Sequence, residues 1–82
     1  MEKDMHAVLL YTKYGCGLCD IVKEELAVLQ ADYPHQLREI DIIQDPSLFS
    51  AYKHKIPVVQ IGETELQAPI SRQDLIAAFL SR

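Results

Sequence analysis

A change of hydrophobic period near the start of the chain constrains the fold more than any other feature of the sequence. Residues 6–12 (HAVLLYT) form a short apolar run that is rich in strand-forming residues and too brief for a helix. From Leu18 onward, apolar residues recur at steps of three and four, which is typical of one face of a helix. The sequence therefore predicts a buried strand followed directly by a helix that ends at Pro34. The expected buried face of this helix consists of Leu18, Val22, Leu26, Leu29 and Tyr33.

The middle of the chain predicts a second strand and a second, shorter helix. Residues 38–43 (REIDII) alternate between apolar and charged side chains, with Ile40 and Ile42 on one face, which indicates a strand. Asp45 and Pro46 then place an N-cap residue before a proline at the first helical position, which indicates a helix start. The side chains expected to face inward from this helix are Leu48, Phe49 and Tyr52.

The last part of the chain predicts a hairpin and a terminal helix. Residues 58–61 (VVQI) form a strand opened by Pro57, and residues 62–63 make a tight turn that returns through residues 64–66. Residues 71–74 (SRQD) match a capping box that begins a final helix. The side chains expected to face inward from it are Leu75, Ile76, Phe79 and Leu80.

The predicted order of elements is therefore β-α-β-α-β-β-α. A strand–helix–strand opening implies that the first two strands pair in parallel through a right-handed crossover. The closing hairpin adds an antiparallel pair. The expected fold class is α/β, with helices covering both faces of a four-stranded mixed sheet.

Length, charge and cysteine content narrow the class of protein further. With 82 residues and a formal charge of −4, we expect one domain over residues 1–82 and no basic surface for nucleic acid. The longest apolar run, residues 7–11, is far shorter than the roughly 20 residues of a membrane span, and shorter than a signal-peptide core. We therefore expect a monomeric cytoplasmic protein with no nucleic-acid or membrane partner. In a reducing cytosol, two cysteines close in sequence indicate catalysis or metal binding.

These cysteines lie where the first strand ends and the first helix begins, in the sequence Cys16-Gly17-Leu18-Cys19. Free amides and the dipole at a helix start favour an anion, so a thiolate on Cys16 would be stabilised and its pKa lowered. Three-residue spacing puts Cys19 on the same helix face, from which it can attack a mixed disulfide formed at Cys16. The predicted roles are nucleophile for Cys16 and resolving thiol for Cys19, with Gly17 leaving the attacking sulfur unobstructed.

Two other interpretations of the cysteine pair explain less of the pattern. A zinc site would need two more ligands, and the chain has only His6, His35 and His54, with no close histidine pair and no further cysteine. His35 and His54 lie near element ends, where we expect solvated or capping side chains. A buried structural pair does not require a glycine-flanked helix start. A CxxC beside a strand–helix–strand pattern therefore favours redox use.

The segments YTKYGCGLCDIVKEEL and DIIQDPSLFSAYKHKIPVVQIG resemble the glutaredoxin-like branch of the thioredoxin superfamily, in particular its small single-domain bacterial members. The resemblance covers nearly the whole chain. It implies a thioredoxin-like, glutaredoxin-type fold and an enzyme that exchanges thiols and disulfides. The implied substrates are disulfide-containing proteins or glutathione mixed disulfides. No tightly bound cofactor is implied, and electrons would come from glutathione as co-substrate or from a reductase partner.

The resemblance also assigns roles outside the cysteine pair. In similar proteins the bond before the residue matching Pro57 is cis and packs beside the CxxC, so that the backbone of Ile56 can pair with a bound substrate. Lys13 is either a solvated lysine or a cation near the thiolate that attracts a glutathione carboxylate, and Tyr14 either walls the site or covers the loop. The predicted site residues are Cys16 and Cys19 for catalysis, and Lys13, Tyr14, Gly17, Leu18, Ile56 and Pro57 for substrate binding, with no metal ligand.

Two departures from the family pattern concern the substrate. Typical glutaredoxins have Cys-Pro-Tyr-Cys, whereas Gly17 and Leu18 lie between the cysteines here. They also have Gly-Gly followed by Asp before the last helix, which binds the γ-glutamyl end of glutathione, whereas this chain has Ala68, Pro69 and Ser71. Pro69 has no N–H, which counts against tight glutathione binding but not against disulfide chemistry. Two alternative functions remain open. One is a redox-inactive interaction module, and the other is an iron–sulfur or metal carrier in which Cys16 from each of two chains binds the cluster or metal.

Overall fold

Four strands and three helices make up the computed structural model, which describes residues 6–81. The elements are β1 (His6–Thr12), α1 (Gly17–Leu29), β2 (His35–Asp41), a 3₁₀ turn (Ile42–Gln44), α2 (Pro46–Tyr52), β3 (Val58–Ile61), β4 (Thr64–Gln67) and α3 (Arg72–Leu80). The strands form one sheet in the order β2-β1-β3-β4. β1 is parallel to β2 and antiparallel to β3, and β4 is antiparallel to β3. This topology confirms the predicted element order and the mixed sheet.

The hydrophobic core lies between one face of the sheet and the helices α1 and α3. The register places Val8 opposite Ile61 and Leu10 opposite Val59, so these side chains share one face. The buried cluster consists of Val8, Leu10, Val22, Leu26, Leu29, Val59, Ile61, Leu75, Ala78 and Phe79. On the other face the ring of Tyr11 packs on Tyr52 of α2, with centroids 4.8 Å apart. Helices therefore cover both faces, as predicted.

The first helix ends earlier than the sequence predicts, at Leu29 rather than at Pro34. Gln30 Oε1 accepts a hydrogen bond from the N–H of His35 at 2.7 Å, and His35 begins β2, so the chain has to leave the helix here. Tyr33 therefore lies in the connecting turn and not on the helix. Its ring still reaches the core, where it stacks on Phe79 with the centroids 5.3 Å apart.

Two side chains that were predicted to face inward are exposed. Leu18 is 59% exposed and Leu80 is 63% exposed. Each lies one residue outside the buried stripe of its helix, about 100° around the helix axis. In α3 the buried position is taken by Ala78 instead of Leu80. The buried stripe of α1 is Cys19, Val22, Leu26 and Leu29.

The second strand is displaced from the predicted residues 38–43. It begins at His35, which pairs with the first residue of β1. It ends at Asp41, because the carboxylate of Asp41 accepts the N–H of Ile43 at 2.9 Å and turns the chain into the 3₁₀ segment. His35 is neither solvated nor capping: it is 4% exposed, with Nδ1 2.7 Å from the carbonyl oxygen of Tyr33.

The predicted helix starts and hairpin turn are confirmed. The Asp45 carboxylate accepts the N–H of Ser47 at 2.8 Å, Ser71 and Asp74 form a reciprocal capping box, and Gly62 has a φ of +60°. The predicted inward side chains of α2 are only half-buried; they are Leu48, Phe49 and Tyr52. Between residues 6 and 81, no helix combines the length and the apolar character needed to cross a membrane.

Candidate active site

The site is built at the junction between β1 and α1. Gly15 turns the chain with a φ of +83°, a left-handed conformation that favours glycine. The N–H of Cys16 donates to the carbonyl of Lys13 at 3.2 Å and closes this turn. Because α1 begins at Gly17, Cys16 is the N-cap residue, with φ −88° and ψ 99°.

The sulfur of Cys16 lies at the leading end of α1. Its Sγ accepts a hydrogen bond from the N–H of Cys19 at 3.2 Å. An amide of the first helical turn therefore points at the sulfur, which is the arrangement expected from the cysteine spacing. A thiolate at this position gains a charge-assisted hydrogen bond and the favourable end of the helix dipole. The negative charge of Asp20, also in the first turn, opposes part of that gain.

Cys16 and Cys19 are joined by a disulfide, with their Cα atoms 5.2 Å apart. The two residues differ in access, because Cys16 is half-buried whereas Cys19 is only 1% exposed. An approaching sulfur therefore meets Cys16 first, and Cys19 is shielded by the protein. Across residues 6–81, no group of three or more His, Cys, Asp or Glu side chains converges to hold a metal ion.

The Ile56–Pro57 peptide bond is cis, as the resemblance implies, and Pro57 is buried. The N–H of Ile56 donates to the carbonyl of Tyr52 at 3.2 Å, so this donor is already used within the chain. Pairing of the Ile56 backbone with a substrate stays a prediction, and with the N–H used it would involve the carbonyl of Ile56. A second cis bond, Ala68–Pro69, was not predicted. The N–H of Ala68 donates to the carbonyl of Pro57 at 3.1 Å and ties the two proline segments together.

These proline segments and the first turns of α1 enclose a small apolar groove, of about 110 Å³. Leu18, which lies between the two cysteines in the sequence, is one of the residues that line it. Ile21 lies one turn further along α1 and is 54% exposed. The groove is lined chiefly by Leu18, Ile21, Pro57, Ala68, Pro69 and Ile70.

A wider, open depression of about 590 Å³ lies on the other side of the β1–α1 turn. Residues 12–15 line it together with Asp20, Glu39 and Asp41, so Lys13 shares the depression with three carboxylates. Lys23 forms an ion pair with Glu39 at 3.2 Å. Tyr14 is 99% exposed, and its ring therefore stands in solvent at this edge. Lys13 and Tyr14 line this depression beside residues of β2, whereas Pro57 precedes β3, the strand on the other side of β1.

The start of α3, directly after Ile70 of the groove, is capped by its own chain. The N–H of Ser71 donates to the Asp74 carboxylate at 2.9 Å, and the N–H of Asp74 donates to the hydroxyl of Ser71 at 3.1 Å. The Ser71 backbone N–H, followed by its hydroxyl, lowers the pKa of Asp74. Arg72 forms an ion pair with Glu25 of α1, which raises the pKa of the guanidinium.

Sequence reasoning did not assign Ile21, Ile70 or Ala68 to the site. A signal for Ile21 is present, since it follows Leu18 by three residues and lies outside the buried stripe of α1. No comparable signal exists for Ile70 and Ala68. Their position next to Pro57 depends on the hydrogen bond between two segments that are distant in the sequence.

Comparisons with known proteins agree with this architecture. The family model described as Glutaredoxin-like domain (DUF836) matches residues 7–81. No curated protein matches the chain. Among solved structures, a protein from X. campestris determined by X-ray crystallography is 34% identical, with a TM-score of 0.73 over 85% of this chain and 91% of that one.

Two more distant structures share the fold. A protein from Nitrosomonas europaea, solved by NMR, is 24% identical with a TM-score of 0.78 and covers 94% of each chain. Thioredoxin O2 from Arabidopsis thaliana in the oxidised state is 20% identical with a TM-score of 0.67, over 94% of this chain and 74% of that one. The fold is therefore thioredoxin-like, and the chain belongs to the glutaredoxin-like domain (DUF836) family.

Proposed function

We propose that the protein is a glutaredoxin-type thiol–disulfide oxidoreductase, which reduces disulfides through the Cys16-Gly17-Leu18-Cys19 dithiol. One observation carries the proposal: the Cys16 sulfur caps α1 and accepts the N–H of Cys19 at 3.2 Å. The disulfide between these two residues is the oxidised product that such an enzyme forms in each turnover.

The first step is attack of the Cys16 thiolate on one sulfur of a substrate disulfide. A bond forms between Cys16 Sγ and that sulfur, the substrate S–S bond breaks, and the other substrate sulfur leaves as a thiolate that takes a proton from water. The amide of Cys19 and the dipole of α1 stabilise the attacking anion. Cys16 is assigned this step because it is the more accessible of the two sulfurs.

The second step is attack of Cys19 on Cys16 Sγ within the mixed disulfide. The Cys19 thiol loses its proton, the Cys16–substrate bond breaks, and the Cys16–Cys19 disulfide forms. The substrate leaves as a second thiolate, which takes up a proton. Two electrons have then passed from the protein dithiol to the substrate disulfide. Shielding of Cys19 favours this order, because a buried thiol reacts more readily with the adjacent sulfur than with one from solution. Two glutathione thiols or the dithiol of a reductase would restore the reduced protein.

The surroundings have supporting roles in this proposal. Pro57 and Leu18, which line the same groove, would contact the substrate, and the Ile56 carbonyl would accept a hydrogen bond from its backbone. Lys13 and Tyr14 lie on the opposite edge, where they would contact the outgoing half of the disulfide. The proposed setting is the cytoplasm, with a disulfide protein or glutathione mixed disulfide as substrate and no tightly bound cofactor.

Comparison of Cys16→Ser with Cys19→Ser tests the assigned roles. Each reduced variant is mixed with a model disulfide in a single-turnover assay, and the products are resolved by mass spectrometry. We expect Cys16→Ser to release no substrate thiol, and Cys19→Ser to accumulate the mixed disulfide on Cys16. Full reduction of the substrate by Cys16→Ser would contradict the proposal, and so would an inert wild-type dithiol.

A further inference from the structure

We propose that Tyr52 is a positioning residue for disulfide exchange: its ring, packed on Tyr11 of β1, holds the Ile56–Pro57 segment in place relative to the cysteine pair. The inference rests on the proposed function. It adds a residue of α2 that acts through the segment assigned to substrate binding and not on the substrate itself.

The ring of Tyr52 joins the end of α2 to the sheet. No side chain of α2 is fully buried, although this helix leads directly into the Ile56–Pro57 segment. The rings of Tyr52 and Tyr11, both half-buried, pack with their centroids 4.8 Å apart and their planes at 31°. An aromatic pair in this geometry contributes more than the burial of its area alone. The tyrosine pair therefore fixes the last residue of α2 against β1.

The backbone of Tyr52 carries the next part of the chain. Its carbonyl accepts the N–H of Lys55 at 2.8 Å and the N–H of Ile56 at 3.2 Å. Ile56 directly precedes Pro57, which lines the groove together with Leu18 of α1. A displacement of residue 52 is therefore passed on to the residue whose carbonyl we assign to the substrate.

Tyr11 holds the other end of the same segment. Its backbone is the register partner of Val58, which begins β3. Residues 53–57 are thus held at both ends by Tyr11, through its ring at Tyr52 and through its strand at Val58. β1 ends at the residue after Tyr11, and the chain then turns into Cys16 at the start of α1. The same tyrosine therefore relates the position of this segment to that of the Cys16 sulfur.

The ring of Tyr52, and not its hydroxyl group, is the part that positions the segment. Burial, followed by the charge of Glu65 and the neighbouring Tyr11, raises the pKa of the Tyr52 hydroxyl. The hydroxyl is therefore uncharged at neutral pH. Glu65 is exposed, so water can replace the hydroxyl as a neighbour of its carboxylate. A phenylalanine at this position, which keeps the ring, should therefore preserve the positioning.

Two chromogenic disulfides of different reach test the inference. One joins thionitrobenzoate to 2-mercaptoethanol, which has no backbone to pair with residue 56. The other joins thionitrobenzoate to the cysteine of a Gly-Ser-Cys-Ser-Gly peptide. Release of thionitrobenzoate, whose low pKa makes it the leaving group, reports attack by Cys16 under single-turnover conditions. The measured quantity is the ratio of the peptide rate to the mercaptoethanol rate, corrected by the same ratio for a simple dithiol.

We expect a corrected ratio of about ten in the wild-type protein, the effect of one well-formed hydrogen bond to the substrate backbone. The ratio should fall towards unity in Tyr52→Leu and in Tyr11→Leu, and the double variant should lose no more than either single one, because both remove the same contact. Tyr52→Phe should keep the ratio within about twofold. Phe49→Leu is the matched control and should keep it too, because the half-buried Phe49 ring of α2 lies beside Lys53, 5.7 Å from its ammonium group.

A second readout separates positioning from a general loss of structure. Alkylation of Cys16 by iodoacetamide needs no backbone partner, so its rate should be the same in every variant. Circular dichroism checks that each variant is folded. Tyr11→Leu removes the ring pair from the other side, so the test does not depend on the folding of Tyr52→Leu.

A ratio that is preserved in Tyr52→Leu would overturn the inference, and so would additive losses in the double variant or an equal loss in Phe49→Leu. A wild-type ratio of unity would do the same. If the wild-type protein reacts with neither disulfide, the proposed function fails, and hydrogen exchange then tests the positioning separately. The amide of Ile56, which is bonded to the Tyr52 carbonyl, should exchange faster in Tyr52→Leu than in Phe49→Leu, and equal exchange in these variants would reject the positioning role.

Discussion

The amide that points at Cys16 allows a direct test of whether the helix start stabilises the Cys16 thiolate. Cys19→Ala removes the second thiol and keeps the backbone N–H that donates to Cys16 Sγ at 3.2 Å. Cys19→Pro removes the same thiol and also the N–H, at a position in the first helical turn where proline is tolerated. The two variants therefore differ in one donor to the sulfur and in the proline ring, which also restricts the backbone of Leu18.

The size of the expected difference follows from the geometry of that bond. A hydrogen bond to a charged group contributes about 1.5–3 kcal/mol. Because Cys16 is half-buried, water replaces part of the lost donor, so the lower end of that range applies. An effect of about 1.5 kcal/mol is roughly a tenfold change in an equilibrium constant. The acid dissociation constant of the Cys16 thiol should therefore be about tenfold smaller in Cys19→Pro than in Cys19→Ala, so the pKa of this thiol should be higher and its thiolate fraction near neutral pH smaller.

Alkylation by iodoacetamide measures the thiolate fraction of Cys16, because the thiolate is the reacting species. Rates are recorded from pH 4 to pH 10, and circular dichroism of both variants controls for the integrity of α1. The midpoint of the rate profile should lie at higher pH in Cys19→Pro, and its plateau rate at high pH should be equal or a few fold higher, because thiolate nucleophilicity rises with pKa. Superimposable pH profiles for two folded variants would refute the claim that the amide of residue 19 stabilises the Cys16 anion.

Three further predictions concern the stability of the fold. Gly15→Ala should lower the unfolding free energy measured in urea by about 1 kcal/mol, because Gly15 has a φ of +83°. Gly17→Ala, inside α1, should be neutral or stabilising. A larger loss in Gly17→Ala than in Gly15→Ala would contradict the left-handed turn at Gly15. Leu26→Ala, at a site with 0% exposure, should cost about 2–5 kcal/mol, with Val28→Ala as an exposed control within about 0.5 kcal/mol of wild type. The lowered pKa of Asp74 stabilises the fold above pH 3.8 and loses that contribution as pH falls through the folded-state pKa. Wild type should therefore lose more stability between pH 5 and pH 2 than Asp74→Asn does, and parallel urea midpoints would argue against it.

Local signals in the sequence were sufficient for the element order and for the position of the Cys16 sulfur. The caps at Asp45 and Ser71 act within three residues of themselves, and the structure forms both. The placement of Cys16 at the leading end of α1 is equally local, because the turn at Gly15 and the helix start follow one another directly. For this reason the fold class and the geometry of the cysteine pair could be predicted without coordinates.

Tertiary contacts decided where the first helix ends, which side chains are exposed, and what surrounds the site. Periodicity alone extends α1 to Pro34, but the helix stops where Gln30 bonds to the start of β2. The exposure of Leu18 depends on which stripe of the helix the sheet covers, and one residue of difference turns a side chain about 100° around the axis. The apolar groove is formed by two proline segments that meet beside α1, and the hydrogen bond from Ala68 to Pro57 joins them across the hairpin. Local sequence can specify a turn or a cap through neighbouring atoms, whereas a groove requires segments that become neighbours only when the whole sheet is formed.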